Sequence, residues 1–162
     1  ASRARLLARR TSGRPEVAVV SGREGPAAKD FFRPSLALVK PAEPQTVSIL
    51  RRAAVDFATA HGAPSEILDD IALAVSEAAT NAVKHANAGD DGIVEMTAAI
   101  ADDWVDIRVR DRGKGFGTQP SDGLGLGLSI IASVAVYLTI CQEGHGTEVR
   151  MRFPMPREAA AV

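Results

Sequence analysis

Glu77, Asn81 and Lys84 recur at four- and three-residue spacing within Ala74-Val-Ser-Glu-Ala-Ala-Thr-Asn-Ala-Val-Lys-His-Ala86. Wound as a helix, these three and His85 fall within an arc of about 100°. The apolar positions Ile67, Leu68, Ile71, Val75, Ala78, Ala79, Ala82 and Val83 fall between about 80° and 240° from Glu77, beside and behind this arc. A carboxylate can accept a proton, an amide oxygen can ligate Mg²⁺, and an ammonium can meet phosphate. A plain solvent-facing stripe has the same spacing. This stripe differs in holding Leu73 and many alanines, whose small side chains would let a ligand lie close to the helix.

A second candidate is Asp111. It continues the odd-numbered face of a strand whose other members are Val105, Ile107 and Val109, so its carboxylate points toward the core layer. Such a group needs a donor partner, and an exocyclic amine such as adenine N6 is suitable. The alternative is that pairing stops at Arg110 and Asp111 opens a turn. Gly113 and Gly115 follow in Arg112-Gly-Lys-Gly-Phe-Gly117, where glycine lets the backbone approach a flat ligand. The run Gly123-Leu124-Gly125-Leu126-Gly127 then leads into a helix, whose free N–H groups form an anion site. A flexible hinge would show the same glycines. A dinucleotide fingerprint fails, because Leu128 stands where a sixth-position glycine is needed. A phosphate P-loop fails too, for want of a terminal Gly-Lys-Ser/Thr. Thr147, after Gly144 and Gly146, starts the last strand with a hydroxyl available to a ligand.

The periodicity predicts the elements that carry these groups. Helices are expected over residues 43–61, 65–86 and 126–135, with Pro44 in the first turn of one and Ser65 capping the next. Strands are expected over 35–39 at an edge, 93–100, 104–110, 136–142 and 147–153, with a further short one at 16–20. Val149, Met151 and Phe153 alternate with Glu148, Arg150 and Arg152, as Ile107 and Val109 do with Asp106, Arg108 and Arg110. That pattern is an antiparallel sheet wet on one face and covered by helices on the other. The fold class is therefore α+β, a two-layer sandwich with a mixed, mostly antiparallel sheet packed on helices.

The 162 residues suit one domain and fall short of the roughly 250 residues of an α/β barrel. The net charge of -1 hides an asymmetry. Residues 1–33 hold eight basic and three acidic side chains, the remainder eleven and seventeen. We divide the chain into a basic tail or linker (1–33), a ligand-binding domain (34–156) and a short C-terminal tail (157–162). The basic segment lacks interleaved aromatics, so nucleic-acid binding is not expected. The single Cys141 excludes an internal disulfide and, with three scattered histidines, a Cys/His zinc framework. No apolar run reaches the roughly 18 residues of a membrane span and no signal-peptide pattern is present, so the expected location is cytoplasmic.

Taken in order, Glu77–His85, Asp111–Gly115, Gly123–Gly127 and Gly146-Thr147 resemble the four boxes of the GHKL ATPase superfamily, which includes gyrase, Hsp90, histidine kinases and MutL-type ATPases. Within it, Ala74–Ala86 and Gly146-Thr-Glu-Val-Arg150 are most similar to the bacterial anti-sigma-factor serine/threonine kinases. The resemblance covers about Leu36 to Phe153.

By that resemblance, Glu77 is the general base, Asn81 the Mg²⁺ ligand, and Lys84 a phosphate contact. Asp111 binds adenine N6, helped by Gly115 and Thr147 through water, and Gly113 belongs to the same nucleotide-binding set. Gly123, Leu124, Gly125, Leu126 and Gly127 close over the phosphates of ATP. The implied activity is phosphorylation of an anti-anti-sigma protein, with a sigma factor as second partner and a homodimer as the assembly. One departure is Leu124, where many relatives carry arginine; its loss favours a second reading, a non-catalytic nucleotide-gated binding module. A third, the catalytic piece of a sensor kinase, draws on the Asn81-x-x-Lys84-His85 spacing but lacks a phospho-acceptor helix among His61, His85 and His145.

Overall fold

The structure is a computed structural model that describes residues 16–21, 33–86, 92–112, 124–142 and 146–155. The chain order is β1 (Glu16–Ser21), β2 (Leu36–Pro41), α1 (Pro44–Ala60), α2 (Ser65–Ala86), β3 (Ile93–Ala101), β4 (Trp104–Asp111), α3 (Leu124–Val134), β5 (Tyr137–Gln142) and β6 (Thr147–Pro154). The six strands form one sheet in the order β1-β5-β6-β4-β3-β2. Every pairing is antiparallel except that of β1 with β5. This is the mixed two-layer α+β sandwich expected from the alternation. The short strand expected near residue 16 is present and sits at one edge, inside the segment read as a tail; β2 occupies the other edge.

The helices lie on the sheet face that carries Val94, Met96, Val105, Ile107, Val109, Val149, Met151 and Phe153, all buried. α2 is the central piece, touching α1, α3 and strands β3, β4 and β6. Its buried stripe is Ile71, Ala74, Val75, Ala78, Ala79, Ala82, Val83 and Ala86. Alanine at five of these positions lets the helix backbone approach the sheet closely, while leucine and isoleucine from neighbours fill the space. Lys84 and His85 fall in its last turn, where positive charge suits the helix dipole.

One detail of α2 and one of the sheet differ from the sequence expectations. α2 begins at Ser65 itself, because the carbonyl of Pro64 accepts from the amides of Ile67 and Leu68; Ser65 is thus inside the helix rather than its cap. The outer sheet face is not uniformly wet either. Asp106 is 3% exposed. The register sets Arg152 directly across from it, and the Arg152 Nε donates to Asp106 Oδ2 at 2.7 Å. Arg108 Nε stands 3.7 Å from the other oxygen. Two long guanidinium side chains thus cover a carboxylate that alternation alone placed in water.

Candidate functional site

Of the polar residues singled out in the sequence, Asn81, Asp111 and Thr147 gather where α2 faces the ends of β4 and β6. Asp111 remains in the strand rather than opening a turn: it pairs with Val94 on one side and Thr147 on the other. It is 3% exposed, as is Thr147. A narrow cleft is lined by Asn81, His85, Asp111 and Thr147, with Ala78, Ala82, Val109, Leu128 and Val149 as apolar walls. The elements explain this grouping. Period 3.6 on α2 puts Ala78, Asn81, Ala82 and His85 on one edge of the helix. Period 2 puts Val109 with Asp111, and Thr147 with Val149, on the inner face of adjacent strands.

Two polar atoms in this cleft are buried and have no hydrogen-bond partner: Asn81 Nδ2 and Thr147 Oγ1. Leaving such groups unpaired costs roughly 1–3 kcal/mol each. An amide, a hydroxyl and a carboxylate beside apolar walls are groups that suit a heteroaromatic ring carrying an exocyclic amine; the cleft as it stands has room for about one water-sized sphere, so its walls must part to admit a ring. For a metal, no group of three or more His, Cys, Asp or Glu side chains is present among the described residues. Asn81 Oδ1 is an oxygen of the kind that Mg²⁺ takes beside ligand phosphates.

The other end of the site is the contact between α2 and α3. α3 starts at Leu124, two residues earlier than its apolar period indicated, so Gly125 and Gly127 belong to its opening turns. Gly127 is buried against the stripe: a Cβ built on it would lie 3.0 Å from Glu77 Oε2 and 3.3 Å from Asn81 Nδ2. Glu77 and Asn81 therefore face the start of a helix, where free N–H groups attract anions. Lys84 is exposed on the same helix and Leu126 is 76% exposed. Gly113, Gly115 and Gly123 lie outside the described residues.

His85 lines the cleft yet was not among the site residues read from sequence, although its position on the polar arc of α2 was the available signal. The apolar walls were missed because Val109, Val149 and Leu128 read simply as core. Among the described glycines, Gly146 leaves the least room for a side chain. A Cβ on it would lie 2.2 Å from the Asp111 carbonyl oxygen.

A two-layer sandwich with an Asn-bearing helix, a buried strand-end aspartate and a glycine-led helix over one cleft defines an ATPase-type nucleotide-binding domain of the kind found in histidine kinases. The sequence matches the histidine kinase-like ATPase domain over residues 40–153, and the chain belongs to that family. It is 40% identical over 82 residues to the serine-protein kinase RsbW of Listeria monocytogenes serotype 4a (strain HCC23), covering 50% of this chain and 52% of that one. With the serine-protein kinase RsbW of Bacillus pumilus (strain SAFR-032) it shares 39% over 79 residues, 47% and 49% of the two chains. The chain thus spans about half the length of the curated relatives it matches. A solved structure of the RsbU and RsbW domains of Rv1364c from Mycobacterium tuberculosis superimposes with a TM-score of 0.61 at 26% identity, covering 80% of this chain and 35% of that one.

Proposed function

We propose that the chain is an ATP-dependent protein serine kinase of the anti-sigma-factor type. In this reading it phosphorylates an anti-anti-sigma protein, holds a sigma factor as its other partner, and works as a homodimer in the cytoplasm. Residues 34–156 form the catalytic unit together with the edge strand β1, which comes from the segment 1–33, and residues 157–162 follow it. The observation that carries the reading is the convergence of two buried, unpartnered polar atoms, Asn81 Nδ2 and Thr147 Oγ1, with Asp111 in one cleft beside Glu77.

Each residue has a task that follows from its chemistry. Asp111 accepts from the exocyclic amine of the base, and Thr147 Oγ1 meets the same purine edge. Ala78, Ala82, Val109 and Val149 sandwich the ring and exclude water from it. Asn81 Oδ1 would hold Mg²⁺, which supplies charge neutralisation on the phosphates. Lys84, exposed at the mouth, reaches phosphate as a mobile cation. Gly113, Gly115, Gly123, Leu124, Gly125 and Leu126 belong to the nucleotide-contacting set, and Gly127 brings the amide end of α3 onto the phosphates. Glu77 accepts the proton of the incoming serine hydroxyl. Phosphoryl transfer asks mainly for this positioning and charge compensation.

The test is incubation with ATP, Mg²⁺ and a candidate anti-anti-sigma protein. Phosphoserine is expected with wild type and not with Glu77→Ala. Its absence in both would overturn the kinase activity.

One observation favours a second reading, a nucleotide-gated binding module without turnover. α3 carries no basic residue, and Leu124 stands at its start, so that helix offers a γ-phosphate no cationic side chain. Partner affinity that responds to ATP in Glu77→Ala as in wild type, with no phosphate transferred by either, would establish it.

A further inference from the structure

Gly146 is buried and stands immediately before Thr147 at the start of β6, against the end of β4. A Cβ on it would lie 2.2 Å from the backbone oxygen of Asp111, 3.3 Å from its carbonyl carbon and 3.4 Å from Cα of Arg112. Real Cβ atoms essentially never come within 3.0 Å of another heavy atom outside their own neighbours. The obstacle is main chain, held in the sheet between Val94 and Thr147, so it cannot swing aside as a side chain would. Any residue other than glycine must force β6 away from β4 at the register position where Asp111 and Thr147 are paired.

We infer that Gly146 is a positioning residue for base selection: its missing side chain holds the Asp111 carboxylate and the Thr147 hydroxyl together on one purine edge. The inference rests on the purine-binding reading of the cleft and goes beyond it by naming what sets the spacing of the two groups. Its effect is confined to one end of the site. Glu77 is carried by α2 and faces α3, and Asn81 reaches both α3 and the cleft, whereas the atoms nearest a Cβ on Gly146 belong to the end of β4 and Arg112 just beyond it. A disturbance at Gly146 therefore reaches recognition of the exocyclic amine before it reaches the phosphates. Misplacement of a recognition group by about 1 Å is enough to forfeit its hydrogen bond.

The experiment compares ATP with purine riboside triphosphate, which lacks the 6-amino group, by calorimetric titration of wild type and Gly146→Ala. Wild type is expected to prefer ATP by about tenfold or more, the worth of one hydrogen bond to a charged acceptor. Gly146→Ala is expected to bring the two ligands within about twofold while its affinity for the amine-free analogue changes little. Equal losses for both ligands would reduce Gly146 to a structural residue and overturn the inference, as would an undiminished preference for ATP. A wild type that does not discriminate would overturn the assignment of Asp111 to the base itself, a distinct failure. Should Gly146→Ala not fold in buffer alone, both chains are titrated in an osmolyte that favours the compact state; a preference for ATP as large as that of wild type under the same conditions would overturn the inference.

Discussion

The carboxylate of Glu77 and the backbone of Gly127 meet across the α2–α3 contact, so closely that a methyl group on Gly127 would stand 3.0 Å from Glu77 Oε2. This contact joins the proposed base to the proposed anion-binding helix. It also brings the first turns of α3 over Asn81, whose Nδ2 would be 3.3 Å from the same methyl. The neighbours at this point are side-chain ends, which can yield, and not main chain as at Gly146.

Gly127→Ala should therefore move stability and function in opposite directions. Replacing a helical glycine by alanine gains up to about 1 kcal/mol of helix propensity. The added methyl, however, pushes Glu77 and Asn81 out of line. We expect an unchanged or higher melting temperature together with ATP affinity lowered roughly tenfold. Thermal unfolding and calorimetric titration read the two effects separately, and unaltered affinity would show that the contact does not organise the site.

Thr147→Val should show the same opposition for another reason. Thr147 Oγ1 is buried and has no hydrogen-bond partner. Removing it relieves a desolvation cost of about 1–2 kcal/mol in the free protein. In the complex the lost hydroxyl removes a contact to the base. Nucleotide-free melting should rise while ATP affinity falls. A variant that melts lower in the free state would show that the hydroxyl is satisfied after all.

Glu77→Ala should separate chemistry from binding. Glu77 lies beside the Asn81 end of the site and is not one of the groups lining the cleft that takes the base. Loss of a general base costs about 10²–10⁴-fold in rate. ATP affinity should stay within a few fold of wild type while phosphate transfer to the protein substrate disappears. Rapid-quench transfer assays beside equilibrium titration test this; comparable losses in both would make Glu77 a binding residue.

Most of the sandwich was legible from periodicity alone, because Ile107 and Val109, or Met151 and Phe153, must share a face whenever the chain is extended. The stripe on α2 was equally legible, since helical spacing leaves Glu77 and Asn81 no choice of side. Asp111 was ambiguous: strand and turn predict the same residue types, and only pairing with Val94 and Thr147 decides. Asp106 was misread as wet because cross-strand register, which brings Arg152 over it, is not local information. The start of α3 was placed late, since glycines lower helix propensity while packing of Gly127 on Glu77 reverses that preference. Gly146 could be seen as a glycine but not as an obligatory one, because its constraint comes from a strand thirty-five positions earlier, where Asp111 lies.

The last prediction concerns pH and a residue away from the cleft. Asp70, on α2, has its carboxyl raised above the ordinary value of 3.8, first by burial and then by the neighbouring charge of Asp69. A raised folded-state value means that the folded chain holds this proton more tightly than the unfolded chain does. Its contribution to stability is therefore present while the group is protonated and is lost as pH rises through the folded value. At neutral pH the ionised Asp70 is a liability of the fold. Asp70→Asn keeps the shape and removes the charge, so it should melt at a higher temperature than wild type at pH 7. The difference should shrink as the pH is lowered toward 3.8, where wild type becomes neutral at this position as well. Thermal unfolding of both chains across that interval checks the sign. A variant less stable than wild type at pH 7 would mean that the carboxylate gains more from the first turns of α2 than it loses to burial and to Asp69.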